Sequence, residues 1–115
     1  MVGDPPLALS VQLTAGGMRH IELPFHADGT PADAEAVRLV TTLAFDHLRA
    51  ERVTILCGSR NLRSAAVPRR VGFVHEATLR CERRDGDGSL RDTELFALTR
   101  ADFESLRAGF AGLRG

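Results

Sequence analysis

Few side chains in this sequence can move a proton near neutral pH. His20 and Glu22 fall within one extended run, His26 lies at its end, and His75 follows Gly72-Phe73; each is a general-base type. Asn61 and Ser64 stand about one helical turn apart, which would place both on one side of a helix start. All fifteen cations are arginine, which excludes a Schiff-base or P-loop lysine mechanism. The absence of Tyr and Trp removes two common anchors of binding surfaces. Catalysis by this chain would therefore rest on His, carboxylate, Ser, Cys or backbone groups.

A length of 115 residues, 43% hydrophobic and 26% charged, suits one domain. Fifteen acids balance the fifteen arginines, so no basic excess exists to neutralise phosphates and nucleic acid is not an expected partner. With no apolar span of about 18 residues and no charged-then-apolar leader, no membrane contact and a soluble, cytoplasmic chain are expected. Cys57 and Cys81 fit neither a CxxC nor a Cys/His ligand spacing. They read as two buried free thiols, with no metal site and no disulfide framework.

The elements that would carry these residues follow from periodicity. Leu7 to Leu13 alternates, Thr14 to Gly17 is a turn, and Met18 to Phe25 is a second extended run whose Pro24 suits an edge, a bulge or the strand's exit. Pro31 to Arg49 is helical, with Val37, Val40, Leu43, Ala44, Phe45 and Leu48 on the apolar side, Thr30 as N-cap and Asp33 in the first turn. Arg52 to Cys57 is a buried strand. Asn61 starts a short helix that should end or bend near Pro68, with Gly72 closing it. Phe73 to Arg83 and Leu90 to Thr99 form a hairpin around Asp85-Gly86-Asp87-Gly88-Ser89, and a last helix runs from about Ala101 to Leu113. The expected fold is α/β, a mixed sheet with some parallel pairing, in the order hairpin, helix, strand, short helix, hairpin, helix.

In order, Asn61, Ser64, Val67, Arg70, Val71, Gly72, Phe73, Glu76, Ala77, Leu79 and Arg80 spell N-x-x-S-x-x-V-x-x-R-V-G-F-x-x-E-A-x-L-R. This pattern resembles the GNAT acyl-CoA N-acyltransferases, and in particular the branch that acetylates ribosomal-protein N-termini. There a Gly-Asp-rich hairpin comes next, then an Asp followed by an aromatic, here Asp92 and Phe96. Upstream, the family's Q/R-x-x-G-x-G/A loop corresponds to His26, Gly29 and Pro31, with Glu35-Ala36 in register. The resemblance covers Leu7 to Leu106, most strongly Ala44 to Leu98, and implies a partial GNAT-like sheet.

The resemblance implies acetyl-CoA as cosubstrate and a primary amine, such as a protein N-terminus, as acceptor. His26, Gly29, Thr30 and Ala32 would lie at its pyrophosphate, where backbone N–H groups and a positive helix end meet an anion. Pro31 departs from the family by removing one N–H donor, and Asp28 and Asp33 add negative charge. Asn61 and Ser64 would sit at the pantetheine arm, Ser64 as acid for the departing thiolate and Glu22 as base. From residue types alone, Thr30, Pro31 and Asp33 equally cap a helix, Asn61 caps the next, and Glu22 reads first as a solvent-facing residue of an alternating strand. Glu76, Arg80 and Asp92 fall at family positions that look structural or substrate-adjacent, and a charge pair across the final hairpin is their plain account.

The family places a strand and two helices before the hairpin, whereas about 25 residues precede the loop here. Residues 1–115 thus read as one truncated domain: a fragment, a minimal member, or one part of a split assembly. Its first strand would leave an open sheet edge, for which a homodimer or a partner chain completing the sheet is expected. The alternative to an acetyltransferase is a non-catalytic GNAT remnant acting as an interaction or regulatory module.

Overall fold

The computed structural model describes the backbone of residues 7–13, 19–25 and 31–114, and side chains over 33–108. The chain runs β1 (Leu7–Leu13), β2 (Arg19–Phe25), α1 (Pro31–Asp46), β3 (Ala50–Gly58), α2 (Leu62–Val71), β4 (Val74–Arg84), β5 (Leu90–Thr99) and α3 (Arg100–Arg114), the element order expected from the sequence. The strands form one sheet in the order β2-β1-β3-β5-β4. Every adjacent pair is antiparallel, so the expected parallel pairing is absent among the described residues. It is β1, not β2, that lies beside β3, and β1 is therefore an interior strand instead of the open edge. Pro24 supplies a physical reason: it has no N–H for a second neighbour, so β2 suits the edge.

Helix α1 begins at Pro31 as expected and stops at Asp46, three residues early. The chain leaves it through Arg49 in the left-handed region (φ 56°), after His47 and Leu48 N–H both donate to the Leu43 carbonyl. Its buried side runs through Ala34, Val37, Thr41, Ala44 and Phe45, whereas Leu43 and Leu48, expected inside, are exposed. Helix α2 passes through Pro68 without ending there. The stop comes at Gly72, where Gly72 N–H reaches the Pro68 and Arg69 carbonyls and Phe73 N–H returns to Pro68 (2.9 Å). Gly72 adopts φ 108°, and a Cβ there would sit 2.8 Å from Leu106 Cδ1 of α3. Gly72→Ala is expected to cost about 2 kcal/mol, from backbone strain and this contact, seen as a lower urea midpoint at unchanged slope.

The hairpin and last helix follow their local signals. Asp85 N–H bonds the Ser89 carbonyl, and Asp87 Oδ1 accepts from both N–H and Oγ of Ser89. Thr99 Oγ1 accepts from Asp102 N–H while Asp102 Oδ2 accepts from Thr99 N–H, a reciprocal cap that starts α3. Register places Val53, Ile55 and Cys57 of β3 beside Leu98, Phe96 and Glu94 of β5 on one sheet face. All three helices contribute to the core on that face, with Phe45 and Phe103 stacked at 4.7 Å. Arg52, Thr54, Leu56 and Gly58 alternate onto the other face.

Candidate active site at the start of α2

The turn from β3 into α2 is fixed by backbone bonds: Ser59 N–H to the Asp92 carbonyl and Asn61 N–H to the Gly58 carbonyl, each 3.0 Å. Asn61 is the N-cap, its Oδ1 accepting Ser64 N–H at 3.1 Å. The capping role read from residue types is therefore present. Burial within α2 follows the stripe Ser64, Val67, Pro68 and Val71, spaced for one helix side. Ser64 is the polar member of that stripe. Its side chain is 0% exposed and its Oγ has no hydrogen-bond partner, an arrangement that costs about 1–3 kcal/mol unless a group supplies the missing bond.

Asn61 and Ser64 are thus brought together. Glu22 lies on β2 opposite Ser10, which in turn faces Thr54 of β3, so β1 separates Glu22 from β3 by a lateral distance of about 10 Å at the usual strand spacing. His20 lies opposite Gln12 on the same strand. Pro31, Ala32 and Asp33 form the first turn of α1, in which Pro31 offers no N–H. His26, Gly29 and Thr30 lie outside the described residues.

Other pairings depend on register. His75 Nε2 and Thr78 Oγ1 both bond Glu94 Oε1, at 2.8 and 2.5 Å. The Thr78 bond first, then that of His75, holds the Glu94 carboxyl below its ordinary range. An ionised Glu94 only accepts, which puts the proton of this contact on His75 Nε2. Glu76 pairs in a two-bond fork with Arg52 of β3, not across the final hairpin, and Asp92 Oδ1 accepts Cys81 N–H. The expected cross-hairpin pair is corrected accordingly: a bulge between His75 and Ala77 lets Glu76 reach past β5.

Only one of the two thiols is buried. Cys57 is enclosed, and burial, then the Glu94 charge, pushes its pKa up to about 11. Cys81 is exposed, because an irregular register and a left-handed backbone (φ 51°) interrupt β4 there. A thiol reagent at pH 8 is therefore expected to titrate one cysteine rapidly, lost in Cys81→Ser, and the second only on unfolding.

An open cleft of about 470 Å³ is lined by Phe45, Asp46, Arg49, Glu51 and Arg100. It lies at the start of β3, the opposite strand end from Asn61. Arg100 Nη2 already donates to the Phe45 and Ala50 carbonyls (3.2 and 2.7 Å), so this cation holds the helix end to the strand.

Residues 27–74 match the acetyltransferase (GNAT) domain family, a span that runs from before α1 through Asn61 and Ser64 to the first residue of β4. The chain is 32% identical to a protein from T. thermophilus whose structure is described as an acetyltransferase; the match covers 83% of this chain and 51% of that one, with TM-score 0.65. Residues 27–74 belong to a GNAT acetyltransferase domain. A second structure described as an acetyltransferase is 34% identical, covering 79% of this chain and 47% of that one, with TM-score 0.62. The chain therefore spans about half the length of these two relatives. A dodecameric spermidine N-acetyltransferase from Vibrio cholerae shares the fold at 17% identity, over 75% of this chain and 49% of that one, with TM-score 0.61. No curated protein matches the chain. Among the described residues, no helix is long and apolar enough to cross a membrane.

Proposed function

We propose that the chain is the cofactor-side part of a GNAT N-acyltransferase that moves an acetyl group from acetyl-CoA to a primary amine, a protein N-terminus being the acceptor the sequence pattern favours. The observation that carries this reading is the Ser64 hydroxyl, buried and unpartnered one turn into α2 within a matched GNAT span. Bound acetyl-CoA supplies a thioester already activated for attack by an amine. Asn61 and Ser64 would hold its thioester end, where the Ser64 hydroxyl fits a group that gives it a hydrogen bond and has a proton for the sulfur that departs. His26, Gly29, Thr30 and Ala32 would hold its pyrophosphate by backbone N–H groups at the start of α1. Glu22, across β1 from β3, would accept the ammonium proton through water.

The sheet edges are β2 and β4. A second copy or a partner chain completing the sheet at an edge belongs to this proposal. The dodecameric relative is a precedent for assembly. Isothermal titration with acetyl-CoA, alongside light scattering for the oligomeric state, tests the reading. Saturable micromolar binding supports it, and no binding at millimolar ligand by the folded chain rejects it.

Pro31 favours a second reading, a GNAT remnant that acts by interaction, because the first residue of α1 lacks the N–H an anion would take. Under that reading neither the chain nor Pro31→Gly binds acetyl-CoA.

A further inference from the structure

We propose that Arg60 and Arg91, grouped around Asp85 at the end of β3, select an acceptor that carries a carboxylate close to its amine. The inference rests on the acyl-transfer reading and names the class of acceptor. Arg91 leaves β5 and lies over Gly58, the last residue of β3, so closely that a Cβ on Gly58 would run into Nη1. Its side chain is 12% exposed, and its Nε is 3.1 Å from Asp85 Oδ1. Its Nη1 is buried with no hydrogen-bond partner. Arg60, 66% exposed, reaches the other oxygen of Asp85 only at 3.8 Å.

Asp85 ion-pairs with both guanidinium groups and the Asp87 charge also acts on Arg60, yet Arg91 Nη1 is left a charged donor without an acceptor, whereas buried donors are nearly always paired. A second carboxylate brought against Arg60 and Arg91 would supply that acceptor with a charge-assisted bond. The neighbouring acids are engaged in the hairpin itself. Glu82 accepts from Thr93 Oγ1 and pairs with Arg83, Asp87 accepts from Ser89, and Asp92 from Cys81 N–H. Arg84 is turned to the Gly88 carbonyl. A polyamine would bring only further cationic donors and no acceptor for Arg91 Nη1, which sets the proposed acceptor apart from the spermidine named for the distant relative.

Position supports the assignment. Gly58 and Thr93 are register partners, and Arg91 shares their sheet face, opposite the helix-bearing face of Cys57 and Phe96. The Gly58 carbonyl also takes Asn61 N–H. A thioester at Asn61 and Ser64 on the side of the Cys57 face and an acceptor on the opposite sheet face would thus meet at one strand end.

The test compares acetyl transfer by the full chain to two peptide amides that differ only in Glu or Gln at the second position. The acidic peptide is expected to have roughly tenfold higher kcat/KM, the size of a charge-assisted bond. Arg60→Gln, on the exposed rim, and Arg91→Gln should each bring the ratio towards one. Equal kcat/KM for the two peptides, or a preference for spermidine over the acidic peptide, overturns the proposal. If no amine is acetylated, the transfer reading fails, and the same peptides are titrated into the isotope-labelled chain. Shifts of the Gly58 and Asn61 amides with the Glu peptide alone uphold the carboxylate site; equal shifts, or none, reject it.

Discussion

Ser64→Ala is expected to lower kcat for acetyl transfer by about 10²-fold, the lower range for losing a positioned acid, while the melting temperature stays level or rises. The two effects have different causes. The Ser64 Oγ is buried without a partner in the chain alone, so its removal takes an unsatisfied polar group out of the helix–sheet interface and replaces it with a better helix former. Loss of activity without loss of stability identifies the hydroxyl with chemistry. A change in KM with kcat intact would instead make Ser64 a contact of the cofactor arm, and a lower melting temperature with full activity would make it a packing residue. Kinetics and calorimetry on the same preparation separate these outcomes.

Phe96→Ala is expected to cost about 3–5 kcal/mol, a large part of the roughly 5–15 kcal/mol that holds a domain of this size together. Phe96 is fully buried on β5 opposite Ile55 of β3. The His75 ring lies 5.2 Å away on one neighbouring strand, and the Arg69 guanidinium of α2 is 5.1 Å from the ring centre. Its removal would open a cavity where β3, β4, β5 and α2 meet, which the surrounding backbone cannot close without moving the start of β4. The midpoint of urea unfolding should fall sharply, with Phe96→Leu recovering most of it. A shift of less than 1 kcal/mol, expected of an exposed side chain, would show that this junction is not where the core is held.

Much of the architecture is legible from short-range chemistry. Asn61 before an apolar stripe, Gly72 after it, the Asp-Gly-rich turn, and Thr99 with Asp102 each act on backbone groups within a few residues. A sequence pattern therefore locates the ends of α2, β4, β5 and α3 to within a residue or two. Pro68 is the exception: expected to end or bend α2, it sits in the buried stripe of a helix that continues to Val71, where packing of Val67, Pro68 and Val71 outweighs one lost hydrogen bond. Leu43 and Leu48 show the same limit from the other side. A helical period identifies a stripe, but which side meets the sheet depends on where the sheet lies.

The candidate site divides along the same line. Asn61 and Ser64 are readable because one turn of helix sets their relation. Glu94 with His75 and Thr78, Arg52 with Glu76, and Arg91 over Gly58 join residues distant in sequence, and only strand register brings them together. Burial likewise separates Cys57 from Cys81, two thiols that the sequence makes equivalent.

By itself the sequence determined the element order, the caps and turns, the absence of lysine chemistry, and the GNAT pattern around α2, because these depend on residue type and near neighbours. The tertiary structure decided that β1 lies between β2 and β3, which helix side is buried, that the Ser64 hydroxyl is left without a partner, and that two arginines share Asp85. Those outcomes follow from strand pairing and burial, which bring together groups tens of residues apart and are set by the whole chain at once.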